Sequence, residues 1–419
     1  MSTKIEFYRP NQIGGCVTVI STEKTKIVID YGEELPGTEN RTEINLDWDS
    51  VNAVFFTHYH GDHIGKIGDI PENIPIYMGE AAYELLQNIW RHVNVEMSKR
   101  MEKRLKSNML RFVKAAKMSV IGDMRITSYS IDHSAYDAYI YLIETGNKTI
   151  LHMGDFRGHG YQGKALVPMI NKYIRRDGKR NVDILITEGT MLSRDNEEVI
   201  TEEEMREEAK ELLRNNRHAF LICSSANLDS LASFYHAARA NGIRMFVYSD
   251  YVLSQLNTFS EYAGKLSDGY KFENCYLLNS KILLRNKAWK APKTQKEFMR
   301  EYGFLAIIKP EDYCQKYIDD FIDLKPMIIY SMWDGYLNPE HAAYNRKWHE
   351  FILKQERNGA EIKHLHTSGH ASRKTLAEVI TAVDPKEKIY PIHTENAEGL
   401  KSLDIPQKYI DMIEIIGSK

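Results

Sequence analysis

At 419 residues with 43% hydrophobic content, the chain can bury a large core and divides most naturally into two domains. Its 55 basic residues nearly balance 58 acidic ones, so global charge neither demands nor excludes a nucleic-acid partner. MSTKIEFYRP contains no apolar leader, and no run approaches about eighteen apolar residues, which argues against secretion and membrane spanning and for the cytoplasm. Cys16, Cys223, Cys275 and Cys314 are far apart and form no CxxC pair; they read as reduced, mostly buried thiols, neither disulfides nor zinc ligands.

The first part of the chain alternates short β-rich runs with Gly/Asn/Asp turns: GGCVTVIS, TKIVIDYG, VNAVFFTH, MRITSYSID, AYIYLIET, KTILHMGD and VDILITEG. Such runs predict a mixed sheet packed as a sandwich, interrupted by helical patterns near 79–118 and 161–176. Around 190–200 the pattern changes, with SRDNEEVITEEEMREEAKELLRNN charged and then helical. Beyond it AFLICS, RMFVYSD, FLAIIK and PMIIYS alternate with amphipathic helices such as LDSLASFYHAARANG. That alternation predicts a doubly wound α/β unit on a parallel sheet. From about 361, IKHLHTSGHASRKTLAEVITAVDPKEKIYPIHTE returns to strand, loop, helix and strand. The expected organisation is a first domain over 1–195, an α/β insert over 196–355, and a return of the first domain over 356–419.

FFTHYHGDHIG, residues 55–65, crowds His58, His60, Asp62 and His63 behind an apolar strand. On a strand His58 and His60 would share a side, because side chains alternate with period two. Gly61 would then permit a bend that swings Asp62 and His63 toward a neighbouring point. One loop could so serve two adjacent ions, with two imidazoles for one and a carboxylate and an imidazole for the other. Ions about 4 Å apart can share a hydroxide and clamp both attacking and leaving oxygens. A histidine-rich surface loop is the bland alternative; the density and order of HxHxDH weigh against it. Further ligand candidates stand at strand ends: His133 after MRITSYSID, Asp155 after TILHMG and His393 after KIYPI.

HYHGDH, His133, GDF at 154–156 and the terminal histidine resemble the metallo-β-lactamase superfamily. The resemblance implies an αββα sandwich carrying two metals at one sheet edge, here with an inserted α/β domain. It implies His58, His60 and His133 on one metal, Asp62, His63 and His393 on the second, and Asp155 bridging them. Asp30 in IVIDYG matches the superfamily's early structural aspartate. The insert, Glu188 in ILITEGT, HTSGHAS and PIHTE narrow the resemblance to the β-CASP nucleases, and within them to the ribonuclease J group, whose comparable segment reads H-x-S-G-H-A.

That resemblance implies a metal-dependent ribonuclease, exo- or endonucleolytic, cleaving single-stranded RNA with water activated by two divalent ions, Zn²⁺ or Mn²⁺. Asp62, Asp155 and His370 are the catalytic candidates, and His366, Ser368 and His370 are expected to contact the scissile phosphate. His370, with the Ser368 hydroxyl and His366, could meet charge on the phosphoryl oxygens or protonate the leaving oxygen. Glu188 is expected to fix a histidine's tautomer, the plainer reading being a helix-capping acid. His393 favours RNA, since some DNA-directed members carry an aliphatic residue there. The basic segment 91–117, with Arg100, Lys103, Arg104, Lys106 and Arg111, offers a polyanion-binding surface or simply a solvated helical hairpin. Arg157 and His159 in GDFRGHG are weaker candidates for substrate contact, and Trp333 and Tyr336 for stacking on a base.

The pattern departs from ribonuclease J in two places. The chain stops shortly after His393, where those enzymes carry a C-terminal assembly domain, so their oligomers are not implied. IIYSMWDGYLNP stands where they have Gly-Ser-Gln-Gly-Glu-Pro. The alternative readings are a metallo-hydrolase of a small ester, thioester, lactone or cyclic nucleotide, and a non-catalytic RNA-binding scaffold. The large insert and the HTSGH loop argue against the first, the intact ligand set against the second.

Overall fold

The β-rich runs of the first part pair into two six-stranded sheets. One holds β1 (Lys4–Tyr8), β2 (Val17–Ser21), β3 (Lys26–Ile29), β4 (Ala53–Phe55), β5 (Ile76–Gly79) and β6 (Leu110–Val113) side by side in chain order. Pairing is antiparallel as far as β3 and parallel beyond it. The other holds β7 (Lys117–Ile121), β8 (Met124–Ile131), β9 (Ala138–Glu144), β10 (Thr149–His152), β11 (Ile184–Glu188) and, at its far edge, Lys388–Ile392. Here β7 to β10 are antiparallel, while β10, β11 and Lys388–Ile392 are parallel. The computed structural model describes residues 2–35, 44–92, 95–175, 178–194, 199–279, 283–284 and 293–417; residues 93–94 and 176 of the two helical patterns, and 195–198 of the charged segment, lie outside the described residues.

Side-chain alternation on β9 shows why the sheets stack. Tyr139, Tyr141 and Ile143 join Phe7, Ile20, Ile27, Ile29 and Phe55 in the core between the sheets. Ile140 and Leu142 point the other way, into a second core with Leu166, Ile170, Leu376 and Ile380 of the outer helical layer. Each such aliphatic side chain, fully buried, contributes about 1.5–3 kcal/mol. Helix Glu80–Arg91 packs on β5 and flanks the first sheet. The unit is an αββα sandwich.

The helical pattern expected over 79–118 is shorter in the structure. Helices cover Glu80–Arg91 and Val95–Leu105, after which the chain turns to β6 and β7. LRFV and KMSVI are edge strands with most side chains in solvent, so hydrophobic periodicity marks them poorly. In the second pattern the helix opens at Gly163 and widens to a π-turn over Ile170–Ile174.

The second compact unit is Ile200–Thr367; the first combines Met1–Val199 with Ser368–Lys419. The second unit's sheet runs Tyr276–Leu277, Arg244–Val247, Phe304–Ile307, His218–Cys223, Met327–Ser331, Ile362–His364, with every neighbouring pair parallel. Thr201 with Glu204, and Thr294 with Glu297, close reciprocal capping boxes at the starts of two of its helices. Ile362–His364 hydrogen-bonds in register beside Met327–Ser331, so the chain re-enters the first unit at Ser368, later than the 356 expected. Among the described residues no helix is long and apolar enough to cross a membrane.

Candidate metal centre

Strand ends deliver the site. Asp30 follows β3, His58 lies just beyond β4, His133 beyond β8 and Asp155 beyond β10, while Glu188 closes β11 and His393 follows Lys388–Ile392. His58 and His60 are past the end of β4, so strand alternation does not place them as expected; their rings nonetheless meet edge to face, centroids 4.7 Å apart. The chain does turn at Gly61, as extended His60 gives way to a helix, but the turn does not require glycine. Gly61 opens a helical turn, Gly61–Ile64, and an added Cβ there would meet nothing.

The turn is gripped from outside. Backbone N–H groups of Gly15, Tyr31 and Glu33 donate to the carbonyls of Asp62, His63 and Gly61 at 3.0, 2.8 and 3.0 Å. Gly32 is the glycine this approach requires, since a Cβ on it would stand 1.8 Å from the Asp62 carbonyl oxygen. The sequence reading overlooked it, although the G of IVIDYG carried the signal.

Hydrogen bonds then settle which nitrogen of each ring faces inward. Asp30 accepts from Thr57 N (2.7 Å), Thr57 Oγ1 (2.8 Å) and His63 Nδ1 (2.9 Å). Thr57 spends its one hydroxyl proton on Asp30, so it accepts from His58 Nδ1 at 3.0 Å. Likewise Thr190 Oγ1 donates to the His393 carbonyl (3.2 Å) and accepts from His393 Nδ1 (2.9 Å). His133 Nδ1 donates to the Gly369 carbonyl at 2.7 Å. In all four rings Nδ1 donates and Nε2 points inward; it is an open lone pair on His58 and His133, and on His63 and His393 it meets the carboxylate oxygens of Asp155 (3.1 Å) and Asp62 (3.2 Å).

Those lone pairs converge. His58 Nε2 is buried without a hydrogen bond among the described residues, and His63 Nε2 stands 3.1 Å from Asp155 Oδ2. His133 Nε2 faces His60 Nδ1 at 3.3 Å. Three sets of donor atoms, His58/His60/His133, Asp62/His63/His393 and His58/His63/Asp155, each lie within 4.8 Å of one another. A fourth set, Asp155, Glu188, His370 and His393, meets the same limit. Nitrogen and carboxylate donors at this spacing, with orphaned buried lone pairs, fit divalent cations.

Electrostatics agree. Burial, aided by the neighbouring rings, holds His58 and His133 well below the usual histidine range, and burial brings His60 down to about 4, so all three are neutral. Burial works against charge on His63 as well, yet the Asp155, Asp62 and Asp30 carboxylates push it well above its ordinary value. Asp155 is held well below the carboxylate range: burial opposes its ionisation, but His393 and His63 outweigh it. A positive charge is stabilised among these carboxylates, and on this chain alone a proton takes that place.

Glu188 organises the other flank. It accepts from the N–H groups of Phe156 (3.1 Å), Ala371 (3.2 Å) and Thr190 (3.2 Å), and from His370 Nδ1 (3.2 Å). Burial disfavours charge on His370, but Glu188 raises it above the ordinary value. His370 Nδ1 also stands 3.6 Å from Asp155. Ser368 is buried, its hydroxyl shared between His370 N (3.1 Å) and Met191 Sδ (3.3 Å). His366 belongs to the second unit, and the structure groups it there.

Several weaker candidates have partners within the fold. Arg157 is fully buried, bonded through Nε to Asp132 (2.9 Å) and through Nη1 to the Ser368 carbonyl (3.3 Å), which His159 Nε2 also reaches at 2.6 Å. Both brace the HTSGH loop, which the charge of Arg157 alone did not reveal. Arg104 is buried and donates to Ile74 O and Ser107 Oγ. Arg100, Lys103 and Lys106 pair with Asp69, Glu72 and Glu102. Trp333 packs edge-on against Tyr336 and His341 within the second unit.

A sequence profile described as the metallo-beta-lactamase superfamily matches residues 13–186, the stretch that supplies every donor from His58 to Asp155. Residues 13–186 belong to the metallo-β-lactamase superfamily. A second profile, the Zn-dependent metallo-hydrolase RNA specificity domain, matches 358–403 and takes in His370 and His393. Among characterised superfamily relatives, the chain is 24% identical over 252 residues to ribonuclease J of Mycobacterium tuberculosis, covering 56% of this chain and 42% of the relative. It is 20% identical over 166 residues to exodeoxyribonuclease YycJ of Bacillus anthracis, covering 38% and 57%. The matched stretch thus spans about half the length of these relatives. A crystallised protein of unknown function from Enterococcus faecalis V583 has a similar fold over 100% of this chain and 98% of its own, with a TM-score of 0.73 and 19% identity.

Proposed function

We propose that this protein is a metal-dependent ribonuclease of the β-CASP type that hydrolyses phosphodiester bonds of single-stranded RNA at the centre described above. The reading is carried by the RNA specificity profile falling on His370 and His393, which join the histidine–aspartate cluster supplied by the first part of the chain. His58, His60 and His133 would hold one divalent ion, Asp62, His63 and His393 a second, with Asp155 between them. Two such ions, Zn²⁺ or Mn²⁺, supply an activated water and positive charge opposite the phosphoryl oxygens.

The chain's own groups do the rest. Asp30, Thr57 and Thr190 hold the imidazoles of His63, His58 and His393 by Nδ1, so that Nε2 of each faces the centre. Glu188 accepts a hydrogen bond from Nδ1–H of His370, which favours the imidazolium and leaves a second proton, at Nε2, for a phosphoryl or leaving oxygen. Near-complete burial of His58, His63, Asp155 and His393 keeps bulk water from competing.

The test is incubation of metal-loaded protein with 5′-monophosphorylated RNA, single-stranded DNA, and a panel of thioesters and cyclic nucleotides. Cleavage of RNA, abolished by Asp155→Ala, is the expected result. Failure to cut any RNA or DNA at low salt sinks the proposal, and turnover confined to a small ester moves the activity to another substrate class.

A further inference from the structure

The cations that might serve a polyanion along 91–117 are unevenly employed. On the helix Val95–Leu105, Arg104 is buried and Arg100 and Lys103 are matched by acids, as described above. The ones that follow, on the two strands where the sheets end, are not. Between residues 110 and 128 the sequence carries Arg111, Lys114, Lys117 and Arg125 against a single acid, Asp123. All four cations are exposed, and no ion pair involves any of them among the described residues. Asp123 is already engaged by the Thr22 hydroxyl at 2.8 Å, and Arg111 leans on the carbonyls of Asn108 (2.6 Å) and Leu110 (2.9 Å).

This ribbon lies along two edges at once. β6 is the last strand of the first sheet and β7 the last of the second, and only Lys114–Ala116 separate them. The corner between them is tight: Ala116 N donates to the Ser128 carbonyl at 2.7 Å, and Ser128 Oγ to the Lys114 carbonyl at 2.8 Å. Lys114 and Lys117 are thereby held on a fixed bend. Large apolar side chains stand open beside them, Phe112 at 41% exposure, Met118 at 49% and Val120 at 64%, with Val120 directly across from Arg125.

Lysines on an edge strand commonly serve only to repel other strands. That purpose is poorly served by uncovering Phe112, Met118 and Val120 next to them, since exposed apolar residues invite contact. An isologous contact of this edge with a second copy would bring two net-positive ribbons together. What fits both features is a partner that is polyanionic and has flat apolar faces.

We propose that the β6–β7 edge is an accessory binding surface for a single-stranded polynucleotide, separate from the metal centre. Lys114, Lys117 and Arg125 would neutralise phosphates, and Phe112, whose ring lies 5.5 Å from that of Tyr83, would stack on an unpaired base. The surface deepens the nuclease reading by giving the substrate a second hold, but its test does not depend on cleavage.

The experiment is fluorescence anisotropy of a 2′-O-methyl RNA 20-mer, which resists hydrolysis, with metal-loaded protein across a salt series. Lys114→Glu/Lys117→Glu should weaken binding about ten-fold and reduce the slope of log K against log salt by about 1.4, near 0.7 for each single-strand phosphate that is no longer neutralised. Phe112→Ala should weaken binding without changing that slope. Lys210→Glu/Lys296→Glu, which makes the same change in net charge at lysines of the second unit, should leave both readouts within two-fold. Unchanged binding in the edge variant overturns the proposal. So does an equal loss in the second-unit variant, or equal displacement of the RNA by polyglutamate of matched charge. Edge-dependent binding by protein that cuts no RNA would keep this surface and sink the ribonuclease reading; RNA cleavage with edge-independent binding would do the reverse.

Discussion

Thr57 has no metal-binding chemistry, yet its hydroxyl decides which nitrogen of His58 is open. It can do so because Asp30, reached from another strand, takes its proton. Replacing Asp30 by Asn removes the acceptor that Thr57 and His63 share. Metal affinity should fall about 10–100-fold, as read by competition with a chromogenic chelator; an unchanged affinity would mean that ring orientation is set elsewhere. HxHxDH, His133, Asp155 and His393 were legible because strand ends and dense polar clusters are visible in one dimension. Thr57 and Thr190 were not, since a threonine near a strand end is ordinary until its partner arrives from a distant segment. The cysteines belong to the same scale. Burial pushes Cys16, Cys223 and Cys275 up to about 12, and raises Cys314 as well. At pH 8 the first three then carry a thiolate fraction of only about 10⁻⁴. Iodoacetamide should therefore label native protein slowly and urea-unfolded protein quickly, by mass spectrometry; fast native labelling would contradict the burial.

Among elements, most strands of both units could be read from their apolar runs, because each buries at least one face. β1, β5, β6 and β7 escaped the reading. LRFV and KMSVI are edge strands set largely in solvent, and IYMG is four residues between a loop and a helix. How elements are tied together was equally hidden. Asp137, with a left-handed backbone (φ 65°), reaches from the start of β9 to the helix Glu80–Arg91, where its Oδ2 accepts from Ala81 N (2.9 Å) and Ala82 N (3.1 Å). Burial still dominates and pushes this carboxyl up to about 6 from 3.8. A carboxyl that ionises less readily folded than unfolded contributes its full stability below about 4 and loses it as pH rises through about 6, up to about 3 kcal/mol. Asp137→Asn should thus flatten the fall in stability between pH 4 and 6, measured by urea denaturation; a variant whose pH profile runs parallel to the parent's would refute the shift. Gly32→Ala is a sharper test of the same kind of tie. Its Cβ cannot stand 1.8 Å from the Asp62 carbonyl, so the helical turn carrying Asp62 and His63 must move. Metal affinity should drop at least as far as in Asp30→Asn, while the strands persist by circular dichroism.

At the scale of the whole molecule, the sequence indicated a parallel α/β unit lying between two parts of a sandwich. It misjudged the return, because IKH looks like any short strand and only its register beside Met327–Ser331 assigns it to the second unit. Every donor from His58 to His393 belongs to the first unit, which is built from two stretches far apart in the chain. Bound cations would therefore fasten the C-terminal stretch, with Lys388–Ile392 and His393, to the N-terminal one. By mass action a ligand at 100–1,000 times its Kd stabilises the state that binds it by about 2.7–4.1 kcal/mol. Removing metal with EDTA should speed hydrogen exchange in peptides covering 53–64, 131–134, 149–156 and 388–394. The parallel strands His218–Cys223 and Phe304–Ile307 have no donor in the cluster and should exchange at the same rate with or without metal. A uniform rise across both sets would mean that the cations do not reside where these imidazoles converge, and slower exchange on chelation would mean that the cluster is already at rest with protons alone.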